Sequence, residues 1–127
     1  IRDRRRSRGL GDVYKRQQKG EPWTKCKGFP SAAIVSDFIT AEKIEDPTNI
    51  QFTFSQNGIL KQDGNSEMMI YPIAEIISYL STVYGLSKGD LIYTGTPEGV
   101  GRLAEGDKLH LTLEAMISAD FEISAKK

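Results

Sequence analysis

The alternation of apolar and polar positions is cleanest from Ile50 to Gln56. There Ile50, Phe52 and Phe54 fall on one face and Gln51, Thr53 and Ser55 on the other. A period of two marks a half-buried antiparallel strand. Asn57-Gly58 follows at once and predicts a type I′ turn, with Ile59 to Gln62 running back to close a hairpin. Asp63-Gly64-Asn65-Ser66 then reads as a polar loop. From Pro72 to Tyr84 the period changes: Ile73, Ile76, Ile77, Leu80 and Tyr84 make one apolar stripe at helical spacing, expected to pack into the core. Pro72 suits the first turn of that helix and Gly85 its C-terminal stop.

The remaining segments read as shorter pieces of sheet. Ala32 to Ile39 opens on a continuous apolar run, Ala32-Ala33-Ile34-Val35, which predicts a buried strand. Thr40 to Asn49 is a surface connection with at most one helical turn, and Asp46-Pro47 signals a bend. Leu91 to Thr94 reads as a strand. Gly106-Asp107 reads as a turn, and Lys108 to Glu114 alternates with Leu109, Leu111 and Leu113 inward. His110 shares the outward face with Thr112 and Glu114, and is expected to be a solvated surface residue without a role. Phe121 to Ile123 can form a last short strand. Strand, hairpin, one helix and further strands predict a mainly β (α+β) fold with the helix packed on one side. No helix follows Gly99-Val100-Gly101, so those glycines are not a dinucleotide fingerprint.

Composition adds limits. The 127 residues make one domain at most, long enough to bury a core. No apolar run approaches membrane-spanning length, and none near the start reads as a signal peptide. A single cysteine, Cys26, leaves no internal disulfide and fits a reducing compartment; with one histidine it also excludes a Cys/His zinc cluster. The net charge of zero hides an asymmetry, because residues 1–17 hold seven basic and two acidic residues while the rest is acidic. A basic arm would suggest nucleic acid. However, Ser7 to Gln17 resembles the translation of a sequencing-library adapter, so residues 1–17 are expected to be a foreign, disordered leader. Without that leader the chain is moderately acidic, which argues against polyanion binding.

Candidate chemistry lies in Leu91-Ile92-Tyr93-Thr94-Gly95-Thr96-Pro97-Glu98-Gly99-Val100-Gly101. An apolar segment runs there into a loop with two hydroxyls, three glycines and a proline. Such a loop is either a tight turn between strands or a site whose backbone approaches a ligand closely. Lys19-Gly20-Glu21-Pro22-Trp23, Lys27-Gly28-Phe29, Gln62-Asp63-Gly64-Asn65-Ser66 and Met69-Ile70-Tyr71 complete a pattern with it. Together with Asp46-Pro47, Asn57-Gly58, the helix and Gly89-Asp90, these pieces resemble the fumarylacetoacetate hydrolase family, in its order and spacing. The nearest branch holds the small acylpyruvase and oxaloacetate decarboxylase/tautomerase enzymes.

The resemblance covers residues 18 to about 115. It implies a mixed β-roll, a homodimer when full-length, and a Mg²⁺ or Mn²⁺ ion chelated by the carboxylate and 2-oxo groups of a 2-keto acid. Carried onto this chain, Lys27 matches the active-site lysine. Thr96, with the Gly95 backbone, matches the group that holds the substrate carboxylate, while Gln62 and Phe29 match residues of the same pocket. The chemistry is consistent with those residue types: cleaving a β-dicarbonyl acid places negative charge on the 2-oxo oxygen, which a cation and an adjacent ammonium stabilise. The implied partner is a small 2-keto acid, with no nucleic acid and no membrane, in the cytoplasm or in the mitochondrion of a eukaryote.

The departures shape the expectation as much as the matches. The family holds its metal on a Glu-x-Glu pair and an Asp upstream of the Lys-Gly-x-Pro-Trp string, with a His and a Glu as general base further upstream. None of these is present, and the Asp position is an arginine in the leader. Lys61 stands where arginine is common, and Met116 and Ser118 interrupt a glycine-rich turn. Residues 18–127 are therefore expected to be the C-terminal part of a catalytic domain, N-terminally truncated. No metal ligand is assigned in this chain, and it is expected to be inactive alone and to bind Mg²⁺ weakly or not at all. Truncation is expected to expose apolar surface. Two alternatives stay open: a 2-hydroxymuconate-type isomerase of the same family, and a non-catalytic β-rich binding or dimerisation domain.

Overall fold

The computed structural model describes residues 18–20, Pro22, Thr24, Gly28 and 32–124. Its centre is a four-stranded antiparallel sheet: β1 (Gln51–Gln56), β2 (Ile59–Asn65), β3 (Lys108–Leu113) and β4 (Ile117–Glu122), in the spatial order β2-β1-β3-β4. One helix, α1 (Ile73–Tyr84), lies between β2 and β3 in the chain. Among the described residues the fold is thus mainly β, with α1 as its one long helix. Among the described residues no helix is long and apolar enough to cross a membrane.

The first hairpin forms as the pattern predicts. Asn57 and Gly58 take φ of 54° and 76°, the two left-handed positions of a type I′ turn, and Gln56 pairs with Ile59 across it. β2 runs further than Gln62, however. Asp63, Gly64 and Asn65, expected in a loop, pair with Thr53, Phe52 and Gln51. A buried Gly64 is compatible with a strand because the Phe52 ring lies over it; a Cβ there would stand 2.5 Å from Phe52 Cζ. The polar composition concealed a strand whose partner supplies the aromatic cover. β4 likewise begins at Ile117 rather than at Phe121. Its hairpin with β3 turns through Glu114, which takes φ 50° without a glycine.

Ser66 ties the start of β1 to the preceding loop. Its buried hydroxyl accepts the Ile50 N–H (2.8 Å) and donates to the Pro47 carbonyl (3.0 Å). The Asp46-Pro47 bend is present: Asp46 Oδ1 accepts from the Thr48 N–H and hydroxyl, and the Asn49 N–H closes on the Asp46 carbonyl. One short 3₁₀ turn, Ala41–Lys43, is the helical content of that connection. His110 is an exposed residue, as expected, and bonds across the ladder to Asp120 (Nδ1 to Oδ1, 2.8 Å).

Two expected strands are absent as ladders. Residues 32–39 and 91–94 carry no ladder pairing, and Ile34, Val35, Phe38, Leu91 and Tyr93 are exposed. The two segments lie beside one another and line an open groove of about 410 Å³. Their apolar content predicts strands, yet they pair with none of the described strands, although β2 and β4 each leave an edge open. The helical stripe is covered in part only: Ile73, Ile76 and Leu80 are half-buried, while Ile77 and Tyr84 are exposed. Leu109 alone among the described large apolar side chains is fully buried, and Leu111, expected inward beside it, is 38 % exposed.

Asp107 joins the hairpin to the turn before β3. Its Oδ2 accepts the Ala104 N–H (2.7 Å) and the Gln56 side-chain amide (2.7 Å), and its Oδ1 accepts from Asn57 Nδ2 (2.8 Å). These donors, the Ala104 N–H first, then Asn57 and Gln56, hold its carboxyl below the ordinary carboxylate value. A depressed folded-state pKa contributes stability that is complete above the unfolded value of about 3.9 and is lost as pH falls through the folded one. Urea titrations of wild type and Asp107→Asn should therefore differ at neutral pH, with the gap closing under acid. A gap independent of pH would refute the assignment.

Candidate functional site

The loop from Thr94 to Gly101 is held against the sheet edge by β2. In β1–β2 the register jumps between Phe54↔Gln62 and Ser55↔Leu60, so Lys61 is an extra, unpaired residue on the edge strand. A bulge of this kind re-aims backbone and side chains, and bulges are frequent beside sites. Here the Lys61 carbonyl meets the loop at Gly99. An added Cβ at Gly99 would sit 1.9 Å from Lys61 O and 3.0 Å from Gln62 Cγ, and Gly99 has φ 98°. Gly95 differs: its φ is 97° but nothing lies within 4 Å of a Cβ built there. Gly95 is required by backbone conformation, Gly99 by conformation and by space.

Next to that contact, Gln62 reaches the loop through its amide. Gln62 Nε2 donates to Thr96 Oγ1 at 2.7 Å and lies 3.1 and 3.3 Å from the Pro97 and Glu98 carbonyls. Two hydrogens serve three oxygens, so the short bond to Thr96 leads and the carbonyls share the other. Since the Thr96 oxygen accepts from Gln62, its own hydrogen is free to donate. An exposed hydroxyl oriented in this way, on a loop rich in backbone N–H groups, is suited to gripping a carboxylate.

The far end of the loop is pinned independently. Gln56 Nε2 donates to the Arg102 carbonyl (3.1 Å) as well as to Asp107. Between the two anchors lies an open groove of about 520 Å³, whose lining includes Gln56, Asn57, Lys61, Gly99 and Arg102. Lys61 and Arg102 make it positively charged.

Of the sequence-predicted site residues, Gln62, Gly95 and Thr96 belong to this one locus. Lys27 and Phe29 lie outside the described residues; of their neighbours, the Gly28 N–H donates to the Thr24 carbonyl (2.6 Å). Among the described residues no three His, Cys, Asp or Glu side chains gather into a set able to hold a metal ion. The roles of Gln56, Lys61 and Asp107 were not anticipated. A bulge leaves no mark in a local pattern, and Asp107 reads from sequence only as a turn residue.

Residues 10–123 match the model of the fumarylacetoacetate hydrolase C-terminal family, beginning inside the segment read as a leader. The mitochondrial oxaloacetate tautomerase FAHD1 of Rattus norvegicus is 41 % identical over 111 residues, covering 87 % of this chain and 50 % of that protein. Oxaloacetate tautomerase YcgM of Escherichia coli is 41 % identical over 107 residues, covering 83 % and 49 %. Among solved structures, fumarylpyruvate hydrolase from Pseudomonas aeruginosa, in complex with Mn²⁺ and pyruvate, superposes with a TM-score of 0.83. It is 26 % identical and the match covers 90 % of this chain and 49 % of the other. The chain thus spans about half the length of the curated relatives it matches.

The two glycines allow a direct comparison. Gly95→Ala should cost about 1 kcal/mol through backbone conformation alone. Gly99→Ala adds a backbone clash that no side-chain movement relieves and should cost about 2–3 kcal/mol. Urea unfolding of the two variants checks this. Equal losses would mean that the loop does not rest on Lys61.

Proposed function

As the chain belongs to the fumarylacetoacetate hydrolase family, we propose that it supplies the carboxylate-gripping part of an enzyme acting on 2-keto acids. The reaction favoured is tautomerisation of oxaloacetate, supported by the tautomerases that share 41 % of its residues over the matched span. The observation that carries this is the Gln62–Thr96 bond. Gln62 turns the Thr96 hydroxyl into an aimed donor, and the Gly95 and Gly99 backbone lets a carboxylate approach it. Lys27, in its Lys-Gly-Phe setting, is assigned the ammonium that stabilises charge developing on the 2-oxo oxygen, and Phe29 is assigned to substrate binding. C–C bond hydrolysis of acylpyruvates, the second reading, passes through the same enolate charge and is favoured by the likeness to fumarylpyruvate hydrolase.

A divalent cation, when bound, would supply Lewis-acid stabilisation of that oxygen. The described residues gather no donor set for one, so its ligands are assigned outside them. We place the working enzyme as a full-length homodimer in the cytoplasm, or in the mitochondrion of a eukaryote, and regard residues 18–127 alone as an incomplete catalytic unit.

The test is made on the protein completed with its upstream coding sequence. Oxaloacetate enol-to-keto conversion, followed by ultraviolet absorbance, should fall about 10²-fold in kcat/KM for Thr96→Val and be largely retained for Thr96→Ser. Lys27→Met should lower kcat. Turnover unchanged in Thr96→Val and Lys27→Met would favour the non-catalytic binding domain instead.

A further inference from the structure

Asn-Gly is the dipeptide most prone to spontaneous deamidation, since glycine offers no side chain to shield the attacking backbone nitrogen. In this chain that dipeptide is the turn of the central hairpin, and the Asn57 side chain is held at both ends. Its Nδ2 donates to Asp107 Oδ1 (2.8 Å), and its Oδ1 accepts the Lys108 N–H (2.9 Å). The backbone is held too: the Asn57 N–H donates to the Lys108 carbonyl (2.8 Å), and φ of 54° keeps the residue in the left-handed region. Closing a five-membered ring requires the amide carbon to swing onto the Gly58 nitrogen. The two side-chain contacts do not survive that swing.

We propose that Asn57 is a latent deamidation site gated by Asp107: blocked while the clamp is closed, and open to reaction when it is lost. The chemistry needs only water and a base. The Gly58 amide gives up its proton, its nitrogen bonds to Asn57 Cγ, and the Cγ–Nδ2 bond breaks, releasing ammonia and leaving a succinimide. Water then opens the ring at either carbonyl, yielding aspartate or isoaspartate at position 57. The change does not reverse. A carboxylate at position 57 has no donor for Asp107 and meets it as a like charge at hydrogen-bond distance, so the clamp cannot re-form. An isoaspartate additionally lengthens the backbone by one bond within a two-residue turn, which the Gln56↔Ile59 pairing does not accommodate.

The consequence reaches the candidate site. Asn57 and Gln56 line the same groove as Gly99, and Gln56 and Ala104 share Asp107 with Asn57. Loss of the clamp therefore removes one of three donors from the carboxylate that also binds Gln56, which pins the far end of the loop, while the Gln62 anchor remains.

The experiment incubates the whole chain in mildly alkaline buffer and follows amide-to-carboxyl conversion by peptide mapping with mass spectrometry. Asn65 serves as internal control, since Ser66 follows it and it bonds to Asn49 and to the Glu67 N–H rather than to Asp107. Conversion at Asn57 should be at least about tenfold slower in the native chain than in urea, the factor expected from losing one charge-assisted hydrogen bond. Asp107→Ala should raise the native rate at Asn57 and leave Asn65 unchanged. Equal rates at Asn57 in native chain and urea would overturn the proposal. So would an Asp107→Ala variant that accelerates both asparagines alike, or neither.

Discussion

No side chain fits at position 99. The glycine there lies so close to the Lys61 carbonyl that loop and sheet edge meet backbone to backbone, and the loop's position follows from that meeting. The bulge at Lys61 is the other half of the constraint, because a regular strand would have turned that carbonyl into the β1 ladder. Once Gly99 is seated, the preceding residues pass within reach of Gln62. A single side-chain amide is then enough to orient the Thr96 hydroxyl.

The loop is fixed at a second place by different means. Gln56, Asn57 and Asp107 come from the hairpin and from the turn before β3, and they exchange hydrogen bonds across about fifty residues of chain. The Gln62 end is set by steric closeness and one amide; the Asp107 end is set by a carboxylate with three donors. Such a division suits a binding loop, since rigid support from the sheet lets exposed residues hold their orientation.

The sheet also shows what the described residues leave uncovered. Ile34, Val35, Phe38, Leu91 and Tyr93 line or flank one groove, while Ile77, Tyr79 and Tyr84 project from α1 into solvent. So much exposed apolar side chain is unusual for a stable monomer. It accords with a chain that spans half the length of its relatives.

Local rules determined the parts of this protein that depend on near neighbours. Alternation placed β1 and β3, the Asn-Gly pair set the hairpin, and proline and glycine bounded the helix, because each signal acts within a few residues. The family resemblance also singled out Gln62, Gly95 and Thr96, which the fold brings to one locus. Other features needed distant partners. Asp63 to Asn65 become strand because β1 provides Phe52 to cover Gly64, whereas residues 32–39 and 91–94 pair with none of the described strands. The bulge at Lys61 and the clamp at Asp107 are products of register between strands far apart in the chain. Register is decided by packing over the whole sheet, and no local window contains it.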